Sequence, residues 1–181
     1  MQVYFIDNDE YFKRKAIFSD EDDQLFSDND ERAIFFAKGV VETVKKLNWA
    51  PDIIHVHGWM ASLLPLYIKE YYSEEPLFSE SKIVTSVYDK DFEGSLNTEL
   101  VEKIKFDKIS DEKTSILNEP NYTNIIKSAV SNSDAIVKGS KQIPDEIDEE
   151  IIKNDIPALS FQEEDSFESY LNFYEELISE E

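Results

Sequence analysis

Short apolar runs alternate with longer segments of helical periodicity along this chain of 181 residues. This order constrains the fold more than any other feature of the sequence. A short apolar run is typical of a buried strand, whereas apolar residues three and four positions apart indicate one face of a helix. Strands that alternate with helices predict an α/β fold with a mostly parallel sheet and right-handed crossovers.

The runs also predict where each element lies. Strands are expected at residues 3–6, 52–57, 82–88, 134–138 and 158–159, and the first four should be neighbours in the sheet. Helices are expected at residues 59–72, 97–105, 121–132, 143–153 and 163–179, after a first helix that Asp28 caps and residues 49–51 break. Residues 7–27 are expected to form a long surface loop. Pro65 should kink its helix slightly, because proline has no amide hydrogen to donate.

The charge of the chain excludes several classes of function. Acidic residues number 40 and basic residues 18, which gives a formal net charge of -22. Such a field repels phosphate backbones and anionic lipids, so we expect no nucleic-acid partner and no membrane partner. No apolar run approaches the roughly 18 residues that would cross a bilayer. No signal peptide is recognisable at the start of the sequence, and we expect a cytoplasmic protein.

The last predicted helix combines an apolar stripe with an acidic face. The stripe consists of Phe167, Tyr170, Leu171, Tyr174, Leu177 and Ile178. Residues 144–181 contain 14 acidic residues and one basic residue, a net charge of -13. A solvated outer face is the simpler interpretation, and a binding surface for a basic partner is the alternative.

Two histidines lie at the end of the strand predicted at residues 52–57. Alternation along a strand places His55 and His57 on the same side of the sheet. His57 precedes a helix amino terminus at the carboxyl edge, where open α/β sheets bind ligands, and its imidazole could donate to a phosphate or a sugar hydroxyl. A histidine satisfied by packing is the alternative interpretation. A metal pair would need a third ligand, which the spacing does not identify.

Other kinds of site find little support in the sequence. Residues 89–94 match the first half of a calcium-binding EF-hand loop, but Leu100 stands where the loop needs a bidentate carboxylate. The chain has no cysteine and no G-x-S-x-G elbow, which excludes a thiol nucleophile and serine hydrolase chemistry. Its four glycines are nowhere closer than 19 residues apart, so no glycine-rich phosphate loop is present. We expect no metal and no cofactor.

Four segments carry a family resemblance. They are residues 4–12 (YFIDNDEYF), 28–36 (DNDERAIFF), 49–59 (WAPDIIHVHGW) and 63–69 (LLPLYIK). Together they are similar to motifs of the bacterial glycogen and starch synthases. The resemblance is strong over residues 1–72 and weaker to about residue 150.

The resemblance implies both a fold and an activity. Members of that family transfer glucose from ADP-glucose or UDP-glucose to an α-1,4-glucan, in the cleft between two Rossmann-like domains of a glycosyltransferase B fold. Residues 1–181 would form one domain, the amino-terminal, acceptor-side half. The cleft histidine of the family falls on His57, with Trp59 packing under the site and Asp28 matching an aspartate near the acceptor. Any ligand site should lie beside His57 and Asp89.

The sequence also departs from the family pattern. The family begins with a strand and a "KTGGL" loop and has a nucleotide-binding carboxy-terminal domain. None of these has a counterpart in these 181 residues. Gly58 replaces the motif's aspartate, and Tyr88-Asp89 replace a histidine-asparagine pair. We therefore expect the isolated chain to be inactive. A non-catalytic domain that binds glucan or sugar nucleotide, or an acidic protein-interaction module, are the alternatives. The missing strand predicts an exposed sheet edge, which could favour a homodimer.

Overall fold

A computed structural model describes residues 2–163 and 167–179. Its centre is a sheet of four parallel strands in the order β1-β2-β3-β4, which is also their order along the chain. The strands are β1 (Ile53–His57), β2 (Lys82–Val87), β3 (Ala135–Lys138) and β4 (Ala158–Leu159). The predicted α/β fold with a mostly parallel sheet is confirmed, and these four strands lie where the apolar runs predicted them.

The prediction of a strand at residues 3–6 was wrong. This segment pairs with no strand of the described chain, and Phe5 is 89% exposed. Ile6 instead packs against Gly39, where an added Cβ would meet its Cγ2 at 3.0 Å. The apolar composition that favours a strand was present, but a strand also needs a neighbour for its backbone groups.

Eight α-helices surround the sheet in the described residues. They are α1 (Asp9–Phe12), α2 (Asn29–Lys46), α3 (Leu64–Leu66), α4 (Leu100–Phe106), α5 (Asp111–Thr114), α6 (Tyr122–Val130), α7 (Asp145–Lys153) and α8 (Phe167–Ser179). The segment expected to be a surface loop, residues 7–27, thus contains the short helix α1. It also contains an antiparallel bridge between Ser19 and Leu25.

The helix predicted at residues 59–72 is divided into three pieces. A 3-10 turn (Trp59–Ala61) is followed by α3 and then by a π-helical turn (Tyr67–Tyr71). Pro65 therefore lies in the first turn of α3 and does not kink a longer helix. The missing amide hydrogen of proline costs little there, because the first amides of a helix have no intrahelical partner.

The two faces of the sheet are covered by different helices. Val56, Ile83 and Ile136 face the larger core, which includes buried residues of α2, α3 and α6. The core on the opposite face is smaller, and α8 covers that face with the buried Leu177. Four residues of α8 at helical spacing pack on that face: Tyr170, Phe173, Tyr174 and Leu177.

The apolar stripe predicted for α8 was partly wrong. Phe167, Leu171 and Ile178 are 81%, 55% and 45% exposed. Phe173, which the prediction omitted, packs against the sheet instead. The buried face of α8 is therefore rotated from the predicted one. Residues 164–166 of the predicted helix lie outside the described residues, as do residues 180 and 181 that follow it.

The outer side of β1 has no strand partner among the described residues, because β1 is the first strand in the order of the sheet. This is the kind of exposed edge that the sequence predicted. Dimerisation through that edge stays a prediction. No helix of the described chain has the length and apolar character that a membrane span requires.

Candidate functional site

The carboxyl edge of the sheet brings two predicted site segments together. β1 ends at His57, and Gly58 then turns the chain with a positive φ of 74° before the 3-10 turn that begins at Trp59. β2 pairs in parallel with β1, so the residues that follow Val87 emerge at the same edge. A residue with a Cβ adopts this backbone conformation only with strain, which explains why a glycine is found at position 58.

His57 makes one side-chain hydrogen bond at this edge. Its Nδ1 lies 2.8 Å from the hydroxyl of Tyr88. Its ring packs on that of His55, with centroids 4.1 Å apart and planes 35° from parallel. Partial burial of the ring lowers the pKa of His57 below its ordinary value, so the neutral imidazole predominates at neutral pH.

His55 has a structural role. Its Nδ1 lies 2.5 Å from the hydroxyl of Tyr174 in α8, and its Nε2 lies 2.8 Å from Oγ of Ser86 in β2. Both ring nitrogens are therefore engaged with hydroxyl groups, which leaves neither free for a metal ion. Among the residues that the structure describes, no group of three or more histidine, aspartate or glutamate side chains could hold a metal ion.

We expect His55 to make the stability of the chain depend on pH. Burial, and then the neighbouring His57, lower the pKa of His55 to about 4. In the unfolded state His55 has its ordinary pKa of about 6.5, so between pH 4 and pH 6.5 the unfolded state binds more protons than the folded state. The contribution of His55 to stability is therefore complete above about pH 6.5 and is lost as the pH falls towards 4. Urea unfolding between these pH values should show this loss, and His55→Gln should reduce it. If the free energy of unfolding depends on pH equally in His55→Gln and in the wild type, His55 is not the source of this loss.

Trp59 is a buried aromatic residue next to this edge. It is 2% exposed, and its ring lies between Phe18 and Phe92, with centroid distances of 4.9 and 5.0 Å. Its indole Nε1 is buried and has no hydrogen-bond partner among the described residues. Leaving such a donor unpaired in the interior costs about 1–3 kcal/mol.

Trp59 lines a cleft of about 380 Å³. The other lining residues are Phe18, Ser19, Asp23, Leu25, Lys90, Asp91, Phe92 and Glu93. Burial, and then the neighbouring Asp89, raise the pKa of Asp91 above its ordinary value. Lys90 forms an ion pair with Glu93 at 2.6 Å. Aromatic surface next to carboxylates suits a neutral ligand with many hydroxyl groups.

A larger apolar groove of about 600 Å³ lies elsewhere, between α1, α2 and α4. Its lining includes Tyr11, Phe35 and Phe106. It includes none of the residues that the sequence singled out at the carboxyl edge. We therefore favour the smaller cleft, because Trp59 lines it at the end of β1 and residues 90–93, which follow β2, complete it.

The structure gives the two predicted aspartates different surroundings. Asp28 precedes α2 but makes no side-chain cap, so the predicted capping role was wrong. Its carboxylate forms an ion pair with Arg14, which lowers the pKa of Asp28. Asp89 is exposed, and its carboxylate accepts a hydrogen bond from the amide of Lys90. No hydrogen bond joins either aspartate to His57 or Trp59 in the described chain, and their roles in binding stay predictions.

The sequence did not single out the loops that complete the cleft. Phe18 and Asp23 lie in the segment that was interpreted as a surface loop, and Asp91 was considered only as a calcium ligand. One signal was available, because Phe92 is an isolated aromatic residue in the polar stretch 89–95. Its burial indicates that this stretch folds back onto the core.

Comparison with known proteins gives the family. The family model for the starch synthase catalytic domain matches residues 1–159. A glycogen synthase of Chlorobium luteolum is 34% identical over 166 residues, which cover 90% of this chain and 32% of that protein. A glycogen synthase of Clostridium perfringens is 29% identical over 80% of this chain and 29% of its own length. The chain thus spans about a third of the length of the curated relatives it matches.

A solved structure agrees with this assignment at the level of the fold. The catalytic domain of starch synthase IV from Arabidopsis thaliana, bound to ADP and acarbose, superposes with a TM-score of 0.59 at 14% identity. The match covers 82% of this chain and 31% of that one. The family explains both the parallel sheet and the segments that resemble glycogen and starch synthases. The chain belongs to the starch synthase catalytic domain family.

Proposed function

We propose that this chain is the acceptor-side part of a glucosyltransferase and binds an α-1,4-glucan at the carboxyl edge of its sheet. Family membership supports the reaction class, which is transfer of glucose from ADP-glucose or UDP-glucose to the glucan. The relatives named glycogen synthase, and the related starch synthase bound to ADP and acarbose, support the two classes of ligand.

The observation that carries this proposal is the cleft next to β1. Trp59, Phe18 and Phe92 line the cleft with aromatic surface. Asp91 offers a carboxyl group whose raised pKa reflects its partial burial. A glucan has hydroxyl groups for the polar atoms and C–H faces for the rings, so it satisfies both kinds of group in one site.

Charge favours the glucan over the sugar nucleotide as the ligand that this chain binds by itself. The net charge of -22 opposes a dianionic donor but has little effect on a neutral oligosaccharide. Lys90 is the one cation that lines the cleft in the described chain, and Glu93 already pairs with it. We infer that the cationic groups that hold the donor diphosphate come from outside these residues.

Titration with maltoheptaose tests the proposal. We expect binding of millimolar order, because a half-open cleft contacts few ligand atoms and affinity per atom is about 0.3 kcal/mol for larger ligands. The indole N–H signal of Trp59 should shift during the titration. Asp91→Ala should weaken binding by about tenfold, since hydrogen bonds to charged groups contribute about 1.5–3 kcal/mol.

Asp22→Ala is the matched control. Asp22 is an exposed carboxylate in the neighbouring loop and does not line the cleft. Its removal changes the net charge by the same amount and should leave the affinity unchanged. Equal weakening by both variants would show that the cleft does not bind the sugar, and so would a Trp59 signal that never moves.

A role in glucan binding without transfer is the second candidate. It is favoured by Gly58 and the Tyr88-Asp89 pair, which stand where the family motifs have an aspartate and a histidine-asparagine pair. Incorporation of labelled glucose into glycogen by the purified chain would exclude this second candidate, whereas an inactive chain is expected for both roles.

A further inference from the structure

Tyr88 connects the ends of two neighbouring strands. It directly follows β2, and its hydroxyl lies 2.8 Å from Nδ1 of His57, the last residue of β1. The two rings are 6.3 Å apart and inclined at 39°. The contact is therefore a hydrogen bond at the carboxyl edge and not a ring stack.

Gly139 makes room for the ring of Tyr88. A Cβ added to Gly139 would lie 2.4 Å from Cε1 of Tyr88 and 2.7 Å from Cδ1. The backbone of Gly139 does not adopt a positive φ, so its conformation does not require glycine. The space that the Tyr88 ring occupies does require it.

The backbone on either side of the ring is also held. The amide of Gly139 donates to the carbonyl of Val87 at 2.7 Å, and the hydroxyl of Tyr122 donates to the carbonyl of Tyr88 at 3.1 Å. The ring of Tyr88 thus packs on Gly139, and hydrogen bonds fix the backbone on both sides of the contact. The Tyr88 hydroxyl has a defined direction towards His57.

We propose that Tyr88 is a positioning residue that sets the tautomer of His57. The Tyr88 hydroxyl and the imidazole Nδ1 can each donate or accept. In the proposed arrangement the hydroxyl donates to Nδ1, so the proton of the neutral imidazole lies on Nε2. Among residues 2–163 and 167–179, Nε2 has no hydrogen-bond partner, and the side chain is exposed at the edge. His57 therefore presents a fixed N–H donor at the carboxyl edge. It does not line the cleft of Trp59 and Asp91, so the bound glucan would extend from that cleft along the edge to accept from it. The identity of that ligand rests on the proposed function, whereas the tautomer does not.

The ligand-free 181-residue chain tests the tautomer by long-range proton–nitrogen NMR of the histidine rings at neutral pH. We expect the Nε2–H form for His57 in the wild type. Tyr88→Phe keeps the ring on Gly139 and removes only the hydroxyl, so it should produce a mixture of both tautomers. His55 is the internal control, because its bonds to Tyr174 and Ser86 remain.

A second pair of variants tests the role of Gly139. Gly139→Ala should displace the Tyr88 ring and change the His57 signals as Tyr88→Phe does. In a Tyr88→Ala background the added methyl group meets no ring, so Gly139→Ala should cause no further change. If Gly139→Ala does not fold, Tyr88→Phe decides the question by itself. A His57 tautomer that is the same in the wild type and in Tyr88→Phe overturns the proposal.

Maltoheptaose separates this inference from the proposed function. We expect Tyr88→Phe to weaken binding by about twofold, because an equal mixture of tautomers leaves half of the molecules with the Nε2–H donor. A tautomer that depends on Tyr88, together with a wild type that binds no sugar, contradicts the proposed function and leaves the positioning role intact. Binding by the wild type and by Tyr88→Phe with equal affinity overturns the part of the inference that concerns the ligand.

Discussion

Replacing Trp59 with alanine is expected to lower the free energy of unfolding by about 3–5 kcal/mol, the range for large aromatic residues in a core. Trp59 is 2% exposed, and its ring contacts those of Phe18 and Phe92. The variant loses the transfer free energy of the indole and leaves a cavity between two rings that belong to loops. Urea unfolding monitored by far-ultraviolet circular dichroism measures this loss of stability.

Trp49 provides the matched control, because it is the second of only two tryptophans in the chain. It is 55% exposed, so Trp49→Ala should change the free energy of unfolding by no more than about 0.5 kcal/mol. A similar loss in both variants would mean that the packing of Trp59 contributes nothing special. A change below 1 kcal/mol for Trp59→Ala would contradict the buried position of its ring.

Replacing Lys103 with methionine should destabilise the chain by about 3 kcal/mol, the lower end of the range for breaking a buried ion pair. The ammonium group of Lys103 lies 2.7 Å from Oδ2 of Asp30 and 2.7 Å from Oε1 of Glu31. The Asp30 side chain is fully buried, and its Oδ1 has no partner among the described residues. Loss of Lys103 therefore leaves a buried charge uncompensated.

Two further variants separate this buried charge from surface effects. In a background of Asp30→Asn the charge is already absent, so Lys103→Met should cost much less there. Lys105→Met removes a lysine of the same helix whose partners, Glu102 and Asp111, are exposed, and it should cause little change. If Lys103→Met is as well tolerated as Lys105→Met, the ion pair with Asp30 has no structural role.

The strands show how far the apolar pattern could predict the fold. It located β1 to β4 within one or two residues. The central strands β2 and β3 are largely buried and need a continuous apolar run. The same pattern failed at residues 3–6, whose composition is equally suited to a strand. Pairing is a tertiary property, and a single segment does not reveal whether a neighbour is present.

The site was predictable only where it follows from the local chain. His57 was identified because it ends a strand and precedes a helix amino terminus, which are local features. The cleft depends on Phe18, which reaches Trp59 from a loop about 40 positions away in the sequence. The fit of Tyr88 on Gly139 joins residues from two different strand ends, and neither residue carries a motif that would indicate it.

The order of the sheet has a consequence for synthesis of the chain. Because β1, β2, β3 and β4 lie side by side in their order of translation, each strand that leaves the ribosome can dock onto the one before it. The helix that covers the second face, α8, follows all four strands. Val84, Ala135 and Val137 therefore stay uncovered on the nascent protein until Leu177 has been made and packed against them. That interval is when the growing chain is most open to aggregation and most in need of a chaperone.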